Sequence, residues 1–250
     1  MFQGLGGGSI VKNLGLVEAS ISGGNYLGFI VAKNGGGTVE NCYTTGTITG
    51  TGYAVGSIAG SNSAIIRNCY STATITTTNV HTAGIVGMNQ YPGQVINCYA
   101  TGNVQGTGNN IGGIVGDNRS QDNTAGIGNL GIVQNCIALN QKVTNTANNN
   151  ATGRVVGGNE FNEPVGAIVI NSYAWSGMGA FISISTPLTV VSGANLKDGA
   201  SISAAAAKTQ AAWTTAGFVF APTGPWTWNG ATSLPSLHGE TIAWPAYLVD

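Results

Sequence analysis

Apolar and polar residues alternate with a period of two over short stretches, and those stretches return at near-constant intervals. From Cys69 onward, Cys69, Ser71, Ala73 and Ile75 share one parity while Tyr70, Thr72, Thr74 and Thr76 share the other. Successive side chains of a strand face opposite sides, so the segment predicts a strand with a small, apolar inner face and a hydroxyl-rich outer one. The stretch at Cys42 repeats this, with Thr44, Gly46 and Ile48 inside and Tyr43, Thr45, Thr47 and Thr49 outside. The stretch at Cys98 also follows it, running out into Asn103 and Gln105 on the outer face. The stretch at Cys136 breaks it. Unbroken alternation would aim Lys142 inward, and a bulge near Leu139-Asn140 would restore the register.

Two motifs set the interval. The first reads Asn41-Cys42-Tyr43-Thr44, Asn68-Cys69-Tyr70-Ser71 and Asn97-Cys98-Tyr99-Ala100. It degrades to Asn135-Cys136-Ile137-Ala138 and Asn171-Ser172-Tyr173-Ala174, with a weaker forerunner at Lys12-Asn13-Leu14-Gly15. Successive Asn residues lie 28, 27, 29, 38 and 36 positions apart. The second motif, Gly84-Ile85-Val86-Gly87-Met88-Asn89, sits between copies of the first and has kin at 29–34, 57–62, 113–118 and 154–159. A unit of this length holds about three strands of 5–6 residues plus turns. Alone it cannot bury its inner face; stacked about 4.8 Å from its own copy, it can. The expectation is an all-β, parallel β-solenoid (a β-helix) of about six coils, about three strands per coil, right-handed as parallel crossovers usually are. The two long spacings predict insertion loops at 117–131 and 144–164, on one side of the stack.

Composition fits this picture. Forty of the 250 residues are glycine and only 7% are charged, against about 25% in ordinary domains. Glycine supplies positive φ at coil corners, Asn tolerates the left-handed region, and small residues suit a narrow core. Eight Lys and Arg against nine Asp and Glu leave no basic surface for nucleic acid. No apolar run is long enough for a transmembrane helix. The opening residues lack the blocks of a secretion signal, and no capping element precedes the first coil. More chain, a partner or another copy is expected to cover that end.

The tail differs. Residues 203–213 are alanine-rich and predict a helix. Short strands are expected at 217–220 and 225–228, with 234–237 closing the unit. Trp213, Phe218, Phe220, Trp226 and Trp228 would form a small aromatic core that hides the last coil. The division expected is residues 1–178 as solenoid and 179–250 as a C-terminal helix-plus-hairpin cap.

The repeats resemble the GLUG-motif family of bacterial surface and adhesin-like proteins, named for Gly-Leu-any-Gly followed by Asn and a later Asn-Cys-Tyr-Ala-Thr-Gly stretch. Gly84 through Gly87, Gly113 through Gly116, and Asn97 through Gly102 match closely; Phe29 through Ala32 and Arg154 through Gly157 depart at the glycine positions. The resemblance runs to about residue 178, and the tail is similar to the segment that often follows such repeats. It implies a secreted or surface-displayed solenoid in adhesin-like or peptidase-associated proteins, with a structural motif that carries no catalytic residues.

Candidate chemistry is sparse. Cys42, Cys69, Cys98 and Cys136 occupy one position of successive coils. A ladder of buried free thiols is expected, disulfides between neighbours being the alternative. No Cys-x-x-Cys and no clustered His point to a metal, and no cofactor is expected. Asp117 and Asp122, and Glu160 and Glu163, fall in the insertion loops. Gathered together, they would be candidate oxygen ligands for calcium or an acid–base pair; solvated loop charges beside Arg119 and Arg154 are the reading expected. His81 and His238 are expected as isolated surface residues. Thr45, Thr47 and Thr49 should stack on Thr72, Thr74 and Thr76, with Thr101 continuing the column. That array suits an ice or crystal surface, though Thr is also a good outward strand residue. The column of Tyr43, Tyr70 and Tyr99 suits carbohydrate or protein contact, or packing at a corner between coils. The function expected is an extracellular, non-catalytic structural or adhesion module, assembling end to end through its first coil. Its partners would be copies of itself, other protein chains or surface glycans. The rival is a carbohydrate- or surface-binding solenoid using the insertion loops or the Thr face.

Overall fold

The computed structural model describes residues 1–120, 130–147, 151–159, 168–181 and 186–249. Among these the chain winds through six coils whose strands stack in parallel on their copies. The third coil shows the plan: Ala59–Asn62, Ile65–Arg67, Tyr70–Ser71, Thr74–Thr77 and Thr82–Ala83. These contribute to four stacks, two of six strands, one of eleven and one of four. The coil is therefore divided more finely than the three strands expected. Several cuts fall at corners such as Asn68 and His81, which take positive φ, and hydrophobic periodicity does not mark those cuts.

Register follows the sequence motifs. Tyr43, Tyr70 and Tyr99 are aligned, as are Ile48, Ile75 and Val104, and Val31, Ala59, Val86, Val115 and Val156. The fifth coil carries one extra residue where the alternation breaks: Ala100 and Val104 align with Ala138 and Val143. Lys142 thereby stays exposed while Val143 is buried.

Asn residues hold the corners. Asn13, Asn41, Asn68, Asn97, Asn135 and Asn171 adopt φ of 57, 52, 52, 52, 56 and 45°, a region that costs most L-residues but few Asn. A second Asn column is buried at the end of the glycine motif. There the Nδ2 groups of Asn34, Asn62, Asn89 and Asn118 donate to Oδ1 of the Asn one coil on, at 2.9, 2.8, 2.8 and 3.1 Å. This unbroken ladder satisfies amides that burial would otherwise penalise. The motif's closing glycine is required by close approach: a Cβ on Gly87 would lie 2.4 Å from Val55 N, and one on Gly116 would lie 2.7 Å from Thr82 N.

The C-terminal region covers the last coil and then does more. Ala200–Ile202 adds a rung on Tyr173–Trp175, and Lys197 O accepts from Val155 and Val156 N. Arg154, expected as a loop charge, is 2% exposed. Its guanidinium donates to the carbonyls of Asp198 and Gly199, and its backbone N–H donates to the Asp198 carboxylate. A cation with buried acceptors thus stands where the two preceding copies of the motif have Gly84 and Gly113. The chain then turns back along the flank of the stack. Asn171 Nδ2 donates to Thr215 O and Tyr70 OH to Glu240, Tyr247 OH shares its one hydrogen between the carbonyls of Thr101 and Leu139, and His238 Nε2 lies 3.0 Å from Asn41 O. The single helix expected is two short ones, Ala204–Ala207 and Gln210–Thr215, because Ser203 and Thr209 each cap a new start. The strands expected at 217–220 and 225–228 reduce to isolated bridges, Phe220 with Trp226 and Thr227 with Ser236. The hairpin forms later, from Ser233–Leu234 and Ile242–Ala243.

Candidate functional site

The tyrosine column is a regular side-chain array built by the coil stacking. Tyr43, Tyr70 and Tyr99 stack with ring centroids 5.0 Å apart at each step and interplanar angles of 3 and 5°. In-register parallel strands impose this spacing, since each ring sits on its copy one rung away. The rings point out of the coil but do not form a free contact surface. Tyr70 and Tyr99 are 1% and 0% exposed beneath the returning C-terminal region. Trp226 packs against both, Trp213 against Tyr99, and Phe218 against Trp213 and Trp226. The Tyr99 hydroxyl donates to Pro235 O at 2.6 Å, and that of Tyr70 to Glu240 at 2.6 Å. Burial pushes both phenols well above their ordinary range. Burial also opposes ionisation of Glu240, but donation from Leu237 N, Tyr70 OH and His238 N outweighs it. That carboxyl consequently sits below the usual range. Tyr43 alone stays half-buried, beside His238.

The hydroxyl face lies farther along each coil. Ser20, Thr47 and Thr74 align, as do Ser22, Thr49, Thr76, Gln105 and Thr144. Thr47, Thr49, Thr74 and Thr76 are exposed, whereas Thr45 and Thr72 are half-buried. Thr101 follows Thr72 in register, as expected, but is buried under Tyr247, so the open hydroxyl face does not extend there.

Cys42, Cys69, Cys98 and Cys136 are free thiols with no solvent exposure. Each sulfur donates weakly to the carbonyl two residues earlier, at 3.2 to 3.3 Å. With desolvation and the neighbouring sulfurs both disfavouring a thiolate, Cys42 and Cys98 are held above the ordinary range.

Asp117 departs from its expected place in a solvated loop. It lies in the strand Val115–Asn118, fully buried. Arg119 Nε donates to its Oδ2, and His81 Nδ1 lies 3.2 Å from the same oxygen. His81, expected as an isolated surface residue, is therefore a partner of this carboxylate. Burial raises the Asp117 carboxyl above its ordinary range despite Arg119. Sequence reasoning missed the pair because the two residues sit in different motifs of different coils. Asp122, Glu160 and Glu163 lie outside the described residues. Among the described residues no three His, Cys, Asp or Glu gather in a way that could hold a metal ion, and no helix is long and apolar enough to cross a membrane.

Comparison with known proteins agrees with this architecture. The GLUG motif model matches residues 51–76, which run from the turn before Val55–Gly56 through Ala59–Asn62, Ile65–Arg67 and Tyr70–Ser71 into Thr74–Thr77. A solved structure from Bacteroides ovatus, a candidate immunoglobulin A1 protease, is similar at 25% identity and a TM-score of 0.57 over 78% of this chain. The chain spans 61% of that protein's length. No curated protein matches the chain.

Proposed function

We propose that this chain is an extracellular structural and adhesion module of a bacterial surface protein, with no catalysis of its own. One observation supports it above others: the residues of the matched motif are taken up by coil stacking. Ile58, Ile66 and Ile75 fill the core, Asn62 joins the buried amide ladder, Gly60 admits the backbone at Tyr26, and Cys69 hydrogen-bonds a carbonyl. A motif spent on rungs leaves surface display as its use. The likeness to a candidate protease supports a place within a larger, peptidase-associated protein. Retention of the purified chain on mucin-coated beads, with immunoglobulin A1 left intact, is the expected result; cleavage by this chain alone would overturn it. End-to-end association through the first coil belongs to the same reading. There Phe2, Ile10 and Val17 are 47, 62 and 60% exposed. Sedimentation should show species that grow with concentration, and a single monomeric boundary throughout would remove that part.

A second reading rests on the exposed Thr rows. Their flat, repeated hydroxyls suit recognition of an ordered surface such as ice. Thermal hysteresis measured at high protein concentration checks it, and no activity retires it.

A further inference from the structure

The C-terminal region supplies the sixth coil with most of a seventh, but not with all of it. Lys197 O accepts from Val155 and Val156 N, Ala194 O from Ser172 N, and Asn195 Oδ1 from Asn171 N. Ala200–Ile202 adds its rung on Tyr173–Trp175, and Leu188 N donates to Ala180 O. The strand Ile168–Ile170, last of its six-stranded stack, receives no such backbone partner among the described residues. Ile168 N donates to Gly131 O and Ile170 O accepts from Asn135 N, so the backbones of both residues face the fifth coil. Alternation turns the N–H and C=O of Val169 the other way, toward the missing rung. Exposure agrees. Val39, Ile66, Val95 and Val133, the copies of Val169 with a rung above them, are 0% exposed, whereas Val169 is 4% exposed.

A cleft of about 570 Å³ lies at this edge, lined by Ile168, Val169, Ile170, Val191 and Leu196. Its volume is that of a ligand site, and its outer wall stands in solvent, with Val191 and Leu196 exposed. We propose that the cleft takes an extended peptide from another protein chain as a seventh rung, in parallel register with Ile168–Ile170. Three features select that occupant. An open backbone edge is met by another backbone, which a sugar or an acyl chain does not supply. The rungs beneath fix the side chain required: Val11, Val39, Ile66, Val95, Val133 and Val169 share one register, so the residue over Val169 should be apolar and β-branched. The next donor along the edge, Asn171 N, is already taken by Asn195 Oδ1, which limits the added strand to the length of Ile168–Ile170. The inference rests on the adhesion reading and gives it a partner class.

Fluorescence polarisation tests it, with the full chain and a labelled peptide copying the fifth coil's rung, Leu130-Gly131-Ile132-Val133-Gln134-Asn135. The peptide should bind, and the same peptide carrying Val133→Asp should bind at least about tenfold more weakly. In the protein, Val169→Pro removes the outward donor without taking a ladder bond, and Leu196→Asp puts a charge in the apolar wall. Each should weaken binding about tenfold. Thr49→Ala on the hydroxyl face should leave it unchanged. Leu196 is exposed in a turn, so Leu196→Asp decides alone should Val169→Pro fail to fold. No binding, equal binding of the two peptides, or indifference to Leu196→Asp overturns the proposal. Uptake of laurate in the peptide's stead also overturns it and makes the cleft an acyl site. Retention on mucin beads without peptide binding defeats the cleft and leaves adhesion standing. Peptide binding without retention does the reverse.

Discussion

At Asn68 a single torsion decides which residues are tolerated. Its φ of 52° costs an ordinary L-residue about 1–2 kcal/mol, so Asn68→Ala should lower stability by about that much and Asn68→Gly by far less. Gly87 is limited by space instead. A methyl there meets the backbone of the adjacent coil at 2.4 Å, and backbone yields less readily than a side chain. Gly87→Ala should cost at least the 1–3 kcal/mol of an overpacked core. Urea denaturation of the three variants measures both effects. The thiols give a third check. Native protein should resist labelling by a thiol reagent, and unfolding without reductant should release all four cysteines as reactive; fewer would mean disulfides. Asn corners and Cys columns were legible in the sequence because a corner torsion or a narrow core constrains one position in every repeat. The Asp117–His81 contact was not, since each residue occurs once and the coil geometry that joins them is not periodic in sequence.

Strand identity was legible wherever one face is buried, as at Cys69 through Ile75. Strand length was not. The breaks come from corners such as His81 and Asn110, at φ of 61 and 65°, which leave the hydrophobic pattern undisturbed. The C-terminal elements were the least legible, because Trp213 and Trp226 pack on tyrosines more than a hundred positions upstream. Two carboxyls at this scale act on stability in opposite directions. Glu240 has a depressed folded value, so its contribution is present above the ordinary carboxylate range and fades as pH falls through that value. Asp117 has a raised one, so its ionisation works against the fold, and stability declines as pH rises from the ordinary range through the raised value. Denaturation midpoints followed across the acidic range should show Glu240→Gln flattening the first trend and Asp117→Asn the second.

For the whole molecule, stacking also sets where charge can go. Lys12, Glu40 and Arg67 share one register, and their signs alternate up the stack. Sparse charge is thus compatible with a column, provided neighbours oppose each other. Backbone protection should follow the same geometry. Amides in the third and fourth coils, paired on both sides and covered by the returning tail, should exchange slowest in hydrogen-exchange mass spectrometry. Uniform exchange across all coils would contradict this.

A stack whose coils touch only their neighbours resists tension like a zip, opening one tooth at a time under a small, steady force. The returning tail changes that mechanics. His238 reaches Asn41 and Tyr247 reaches Thr101, contacts spanning 197 and 146 positions, so one segment fastens several teeth together. Pulled from its ends, such a molecule behaves as a buckle: it holds at full length until the tail tears free, and only then unzips. That fastening sets the load at which the length of the molecule begins to pay out.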